Sequence, residues 1–166
     1  MQFSIGVEYA LHCLTYFVDT PSGTTIGVKE LATFQGVSET YLSKIFTKLK
    51  KAGIVRSMPG VKGGYELAKQ PSKINFWDVI AAIEGNQPFF QCAEIRQKCI
   101  LLEGKENDPK SCAPCTINVV MLEAEELMRE HLKTKTIAWL NETILSKQKV
   151  QHEEGVNWFR EALNRR

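Results

Sequence analysis

Four cysteines fall within 24 residues of this chain: Cys92, Cys99, Cys112 and Cys115. Thiolates are soft donors, and Cys112-Ala-Pro-Cys115 has the spacing that closes a chelate within one turn of chain. Four such donors suit a [2Fe–2S] or [4Fe–4S] iron–sulfur cluster, or a tetrahedral zinc ion. The same thiols could act without metal, as a Cys99–Cys112 or Cys112–Cys115 disulfide formed under oxidant. Cys115 stands just before an expected helix that begins near Thr116, and the positive end of a helix dipole favours the thiolate. The fifth cysteine, Cys13, sits in an apolar helical pattern and reads as a buried small hydrophobe.

The elements that must position these thiols follow from periodicity and punctuation. Residues 3–18 read as an amphipathic helix through Phe3, Val7, Ala10, Leu11, Leu14 and Val18. A short helix over 28–35 is broken by Gly36, where a helix-turn-helix needs its tight turn. Ser38 caps the next helix, 39–52, whose apolar stripe is Leu42, Ile45, Phe46 and Leu49. Gly53 ends it. Ile54–Ser57 and Tyr65–Leu67 read as strands joined by Met58-Pro59-Gly60-Val61-Lys62-Gly63-Gly64, a wing whose glycines would allow close approach to a phosphate backbone. Residues 76–84 make a short helix. Residues 86–114 read as irregular, and a connection that long is usually functional or disordered.

From Thr116 a long helix carries Ile117, Met121, Ala124, Met128 and His131 at alternating steps of four and three, flanked by Val120, Leu127 and Leu132. That is a seam for another helix, from a second subunit or from the chain's own core. A helix over 134–147 follows. The tail could form one more short helix through Val156, Phe159 and Leu163. The expected fold class is mainly α: a winged helix-turn-helix domain with a long C-terminal dimerisation helix. The expected division is a reader at 1–85, a cysteine-rich sensor loop at 86–115, dimerisation helices at 116–147 and a tail at 148–166.

The net charge of +2 is unevenly spread: residues 1–75 carry +4 and residues 76–166 carry −2. Six basic residues and no acidic one lie between Lys44 and Lys62. A polyanion would meet the first half. A helix fits the major groove, and the N-terminal residues of the second helix normally meet base edges. Those residues are Glu39, Thr40, Tyr41 and Lys44. Lys48 is placed for phosphate, and Gly60, Lys62 and Gly63 present the wing. Tyr41 has a competing place under the wing, and Lys51 reads as solvated.

These residues resemble the Rrf-two (BadM-type) family of bacterial transcription regulators. The resemblance rests on Glu8-Tyr-Ala-Leu11, on Ser38-Glu-Thr-Tyr-Leu-Ser-Lys-Ile-Phe-Thr-Lys-Leu-Lys-Lys-Ala-Gly53, on Gly60-Val-Lys-Gly-Gly-Tyr65, and on a cysteine loop before a long helix. It spans about residues 1–145. It implies a homodimer whose long helices cross and whose wings grip a palindromic operator in double-stranded DNA. Members with cysteines in the loop commonly carry an iron–sulfur cluster, which air can remove. Cluster-binding relatives place three cysteines before the long helix. The first matches Cys92, the last Cys115, and the middle one either Cys99 or Cys112, because the loop here is longer. One branch uses a histidine three residues after the last cysteine; Asn118 occupies that position here. Another branch takes a carboxylate from the partner's first helix, which matches Glu8. Cys112 is the simpler fourth ligand, and the ordinary reading of Glu8 is an exposed helix residue.

The leading expectation is a dimeric repressor whose operator affinity is tuned by a cluster in the Cys92–Cys115 loop. The alternatives are a cluster-free winged-helix regulator with a direct thiol switch, and a zinc-stapled interaction module that binds no DNA. An enzyme is not expected: there is no phosphate-binding loop, no paired catalytic carboxylates and no nucleophile beside a base. No apolar run approaches the ~20 residues of a membrane span. Met-Gln-Phe-Ser-Ile-Gly lacks the marks of a secretory signal, so the default location is cytoplasmic. His131 reads as a packing residue, and His12 and His152 have no evident partner.

Overall fold

A computed structural model describes residues 2–21, 23–60, 63–98, 100 and 114–165. Lys62, Cys99 and Cys112 lie outside the described residues. The chain forms two compact units: residues 86–131, and residues 2–85 together with 132 onward.

The larger unit begins with α1 (Ile5–Thr15), α2 (Val28–Gln35) and α3 (Glu39–Lys51). Gly36 takes φ 66, the left-handed conformation that ends α2, and Val37 N–H donates to the Ala32 carbonyl at 3.0 Å. This is the tight turn the sequence placed there. Ser38 Oγ accepts the Tyr41 N–H at 3.4 Å and caps α3. Leu42, Ile45, Phe46 and Leu49 are the buried face of α3, packed with Leu14, Leu31 and Ile26 in one core. Cys13 is buried in the same core, and burial pushes its thiol up to about 12.

The wing is an antiparallel hairpin of β1 (Val55–Met58) and β2 (Gly64–Leu67), with Val55 opposite Leu67 and Met58 opposite Gly64. Ile26 adds a single bridge on its other edge, exchanging bonds of 3.0 and 2.8 Å with Tyr65. This bridge changes the reason for the wing's glycines. A Cβ on Gly64 would stand 2.6 Å from the Ile26 carbonyl oxygen. A Cβ on Gly63 would stand 2.7 Å from the carbonyl oxygens of Met58 and Gly60. Hairpin packing itself excludes a side chain at both positions, independently of any approach to phosphate.

Next, α4 (Phe76–Glu84) opens with a capping box between Asn75 and Asp78 and stops at Gly85, φ 87. The last part of the unit is α6 (Ile137–Lys147) and α7 (Lys149–Asn164). The start of α6 is tied to the start of α4 by Phe76 N–H to Lys135 carbonyl, 2.8 Å, and Ile137 N–H to Ile74 carbonyl, 2.9 Å. The tail helix is longer than the short one expected. It docks through an aromatic cluster of Phe34, Trp158, Phe159 and Tyr16, with ring centroids about 5 Å apart. His152, expected to be partnerless, is buried and bonds Asp19 at 2.7 Å, and Asn141 donates to the same carboxylate oxygen at 3.1 Å. Residues 132–165 therefore share the reader's unit.

The smaller unit holds one turn of 3-10 helix at Ile95–Lys98 and most of α5 (Thr116–Lys133). Its one buried charge, among the described residues, is Glu125, which accepts the Phe89 N–H at 2.9 Å and pairs with Arg129.

Candidate functional site

Two sets of residues could carry function: the exposed face of α3 with the wing, and the thiols at the start of α5.

With its stripe buried, α3 presents Glu39, Thr40, Tyr41, Lys44, Thr47, Lys48, Lys50 and Lys51 to solvent. Lys44, Lys50 and Lys51 enter no ion pair among the described residues. Arg56 and Lys48, by contrast, are engaged. Arg56 pairs across the hairpin with Glu66 at 2.8 Å. Lys48, expected at a phosphate, donates from Nζ to the Ile83 carbonyl at 2.6 Å. Tyr41 is 36% exposed, and its ring meets Tyr9 of α1 edge-on at 5.9 Å. The ring under the wing is instead Tyr65, whose centroid lies 5.0 Å from Phe46. Gly60 stands at the wing with φ 116, a conformation that suits glycine, and its carbonyl accepts the Gly63 N–H at 2.8 Å.

At the second site, Val119 N–H bonds the Cys115 carbonyl at 2.9 Å, so Cys115 occupies the N-cap position of α5. An N-cap side chain accepts from the second and third helical N–H groups. Here the acceptor is sulfur. The Asn118 N–H, aided by that of Ile117 and by the Cys92 thiol, holds the Cys115 thiol below its ordinary value against the opposing effect of desolvation. Asn118 thus serves through its backbone, where one branch of the family has a histidine side chain. Cys92 is shifted the other way. The Glu94 N–H lowers it, but desolvation and its own hydrogen bond to Cys115 outweigh that, and its proton is held. Neither thiol is in a disulfide. In this pair Cys92 is the donor and Cys115 the acceptor, the sulfur whose ionised form is favoured.

This pair fits half of a soft-metal site: two sulfur donors in mutual contact, one of them with its thiolate form favoured. No cluster of three or more His, Cys, Asp or Glu residues suited to a metal occurs among the described residues. Glu8 is exposed on α1, at the lip of a groove of about 400 Å³ lined by Phe3, Leu11, Phe76, Leu140 and Ile144.

The seam on α5 is uncovered. Ile117 is 68% and Leu127 74% exposed, and Val120, Met121 and Leu122 are exposed too. Sequence reasoning missed the Lys48–Ile83 bond, the Glu125–Arg129 pair and the Asp19–His152 contact. All three depend on tertiary neighbours or on a burial that no local pattern marks.

Known proteins agree with this geometry. Residues 3–143 match the Rrf2 family, described as iron-dependent transcriptional regulators. The chain is 33% identical over 138 residues to protein rrf2 of Nitratidesulfovibrio vulgaris, covering 83% of this chain and 85% of that one. Among solved structures it resembles CymR, the global cysteine regulator of Bacillus subtilis, with TM-score 0.65 and 21% identity, over 86% of this chain and 98% of that one. It resembles T. potens IscR equally, with TM-score 0.65 and 24% identity, over 89% and 91%. These two likenesses are of fold, and the fold is the winged helix. The relatives are regulators, not enzymes, and no helix among the described residues is long and apolar enough to cross a membrane. The chain belongs to the Rrf2 family of helix-turn-helix, DNA-binding transcriptional regulators.

Proposed function

We propose that this protein is a cytoplasmic homodimeric repressor that reads a palindromic operator and whose affinity is tuned by an iron–sulfur cluster held in the 86–115 segment. The observation that carries the sensing half is the contact between Cys92 and Cys115 at the first turn of α5. Cys92 and Cys115 would hold the cluster with Cys99 and Cys112; Glu8, contributed across the dimer, is the alternative fourth donor. When bound, such a cluster supplies an iron centre sensitive to oxidant, nitric oxide and iron supply. This chain's own part is mechanical. Cys115 caps α5, so whatever its sulfur binds is felt where the exposed seam begins. A few kcal/mol of coupling would change operator occupancy by orders of magnitude.

On the DNA side, Glu39, Thr40 and Lys44 would meet base edges, with Tyr41 half-held against α1. Gly60 and Gly63 would bring wing backbone near a phosphate, and Lys62 is a further candidate there. Protein purified without oxygen should be coloured and contain iron and sulfide near stoichiometry. Iron-free protein with all thiols intact after anaerobic reconstitution would sink the cluster.

A second reading is favoured by the same contact. Two thiols in hydrogen-bond contact are poised for a Cys92–Cys115 disulfide: peroxide takes two electrons and two protons from the pair and leaves as two waters. Mass spectrometry separates the readings. A loss of two titratable thiols in metal-free protein after peroxide supports the switch, and an unchanged count excludes it.

A further inference from the structure

We infer that Lys48 is a positioning residue: its ammonium fastens the recognition helix α3 to the last turn of α4, the turn from which the chain enters the cysteine segment. The last carbonyls of a helix have no partner within it, and a cation there is favoured by the helix dipole. Lys48 Nζ supplies both, donating to the Ile83 carbonyl at 2.6 Å in a part-buried setting. Ile83 is itself a buried core residue. The neighbouring side chain makes the same turn a three-way joint. Glu84 Oε1 accepts from Ser4 N–H at 2.9 Å and from Ser4 Oγ at 2.6 Å, at the start of α1. Gly85 then ends α4, and residue 86 begins the other unit. One turn of α4 thus holds the first turn of α1 and the middle of α3.

An ammonium spent on a carbonyl inside the reader is poorly placed to neutralise a phosphate. Lys44, one turn earlier on α3, is exposed as Lys48 is, but makes no such bond among the described residues. The two lysines share a face and a charge but not a role. Lys48 sets the angle at which α3 is presented, which matters for reading sequence and little for attraction to any duplex. The inference rests on the DNA-reader reading and adds to it the element that aims the reader.

The test compares two duplexes of equal length: one selected from a random library by the parent protein, and one of mixed sequence. Lys48→Met should weaken binding to the selected duplex about tenfold and to the mixed duplex less than about twofold, because non-specific binding depends on phosphate contacts. The slope of log K against log salt should be unchanged on both. Amide hydrogen exchange at residues 83–85 should quicken without DNA, and Lys48→Arg should restore both readouts. Equal weakening on the two duplexes, with the slope smaller by about 0.9, would make Lys48 a phosphate contact and overturn the inference. So would unaltered exchange at 83–85. A parent that selects no sequence would count against the reader itself, while the exchange measurement still decides whether Lys48 fastens α4.

Discussion

At the scale of single residues, the most consequential fact is that a sulfur caps a helix. Cys115 receives the Asn118 and Ile117 N–H groups that a serine or aspartate would normally take. The direction of its shift was legible in the sequence, because a cysteine just before a helix start meets the positive end of the dipole. The matching shift of Cys92 was not, since it depends on a contact across 23 positions of chain. The two directions make a prediction for reduced, metal-free protein. Alkylation proceeds through the thiolate, so a thiol with lowered pKa reaches half its maximal rate at lower pH, and one with raised pKa at higher pH. Iodoacetamide labelling mapped by mass spectrometry should therefore give Cys115 a midpoint below that of an ordinary cysteine and Cys92 a midpoint above it. Cys13, buried and pushed up to about 12, should stay unlabelled until the protein unfolds. A Cys115 midpoint at or above that of Cys92 would contradict the cap.

At the scale of elements, what was local was legible. The span of α4 was read residue for residue, and the structure adds that Asn75 and Asp78 form its cap and Gly85 its stop. The turn at Gly36 and the buried stripe of α3 were equally plain. What depended on distant partners was not. The glycine pair of the wing suggested an approach to phosphate, yet Ile26, nearly forty positions earlier, already forbids a side chain at Gly64. The tail showed a weak apolar pattern, and nothing local announced that Phe159 would be buried against Phe34 and Tyr16. That burial makes α7 a structural part of the reader. Truncating a buried aromatic typically costs about 3–5 kcal/mol through lost transfer energy and the cavity left behind. Phe159→Ala should lower unfolding stability by about 3 kcal/mol in chemical denaturation, whereas Val150→Ala, at an exposed position of the same helix, should change it by less than about 0.5 kcal/mol. Equal, small effects at both positions would mean that α7 does not contribute to the fold's stability.

At the scale of the whole molecule, the apolar face of α5 stands exposed. Only Glu125 of α5 is buried, while Ile117, Val120 and Leu127 stand in solvent at helical spacing. A contiguous exposed apolar strip of this kind marks an association surface, and identical helices meeting along it would form a closed two-fold pair. Charge gives the pairing a readable consequence. The basic excess lies in residues 1–75, so in the proposed dimer each subunit would bring its own set of phosphate contacts, twice as many as a monomer. Each contact adds about 0.9 to the slope of log K against log salt. Linking two readers also makes the second engagement intramolecular, which raises affinity by orders of magnitude without a new contact. Replacing Val120 and Leu127 together by Glu should therefore do three things at once. Sedimentation should change from dimer to monomer. Affinity for a two-half-site duplex should fall by at least about a hundredfold. The salt slope should drop to about half, while the monomer keeps its fold by circular dichroism. A double variant that still sediments with the parent would place the subunit contact elsewhere. A monomer that kept the parent's slope would show that the two readers do not bind DNA together.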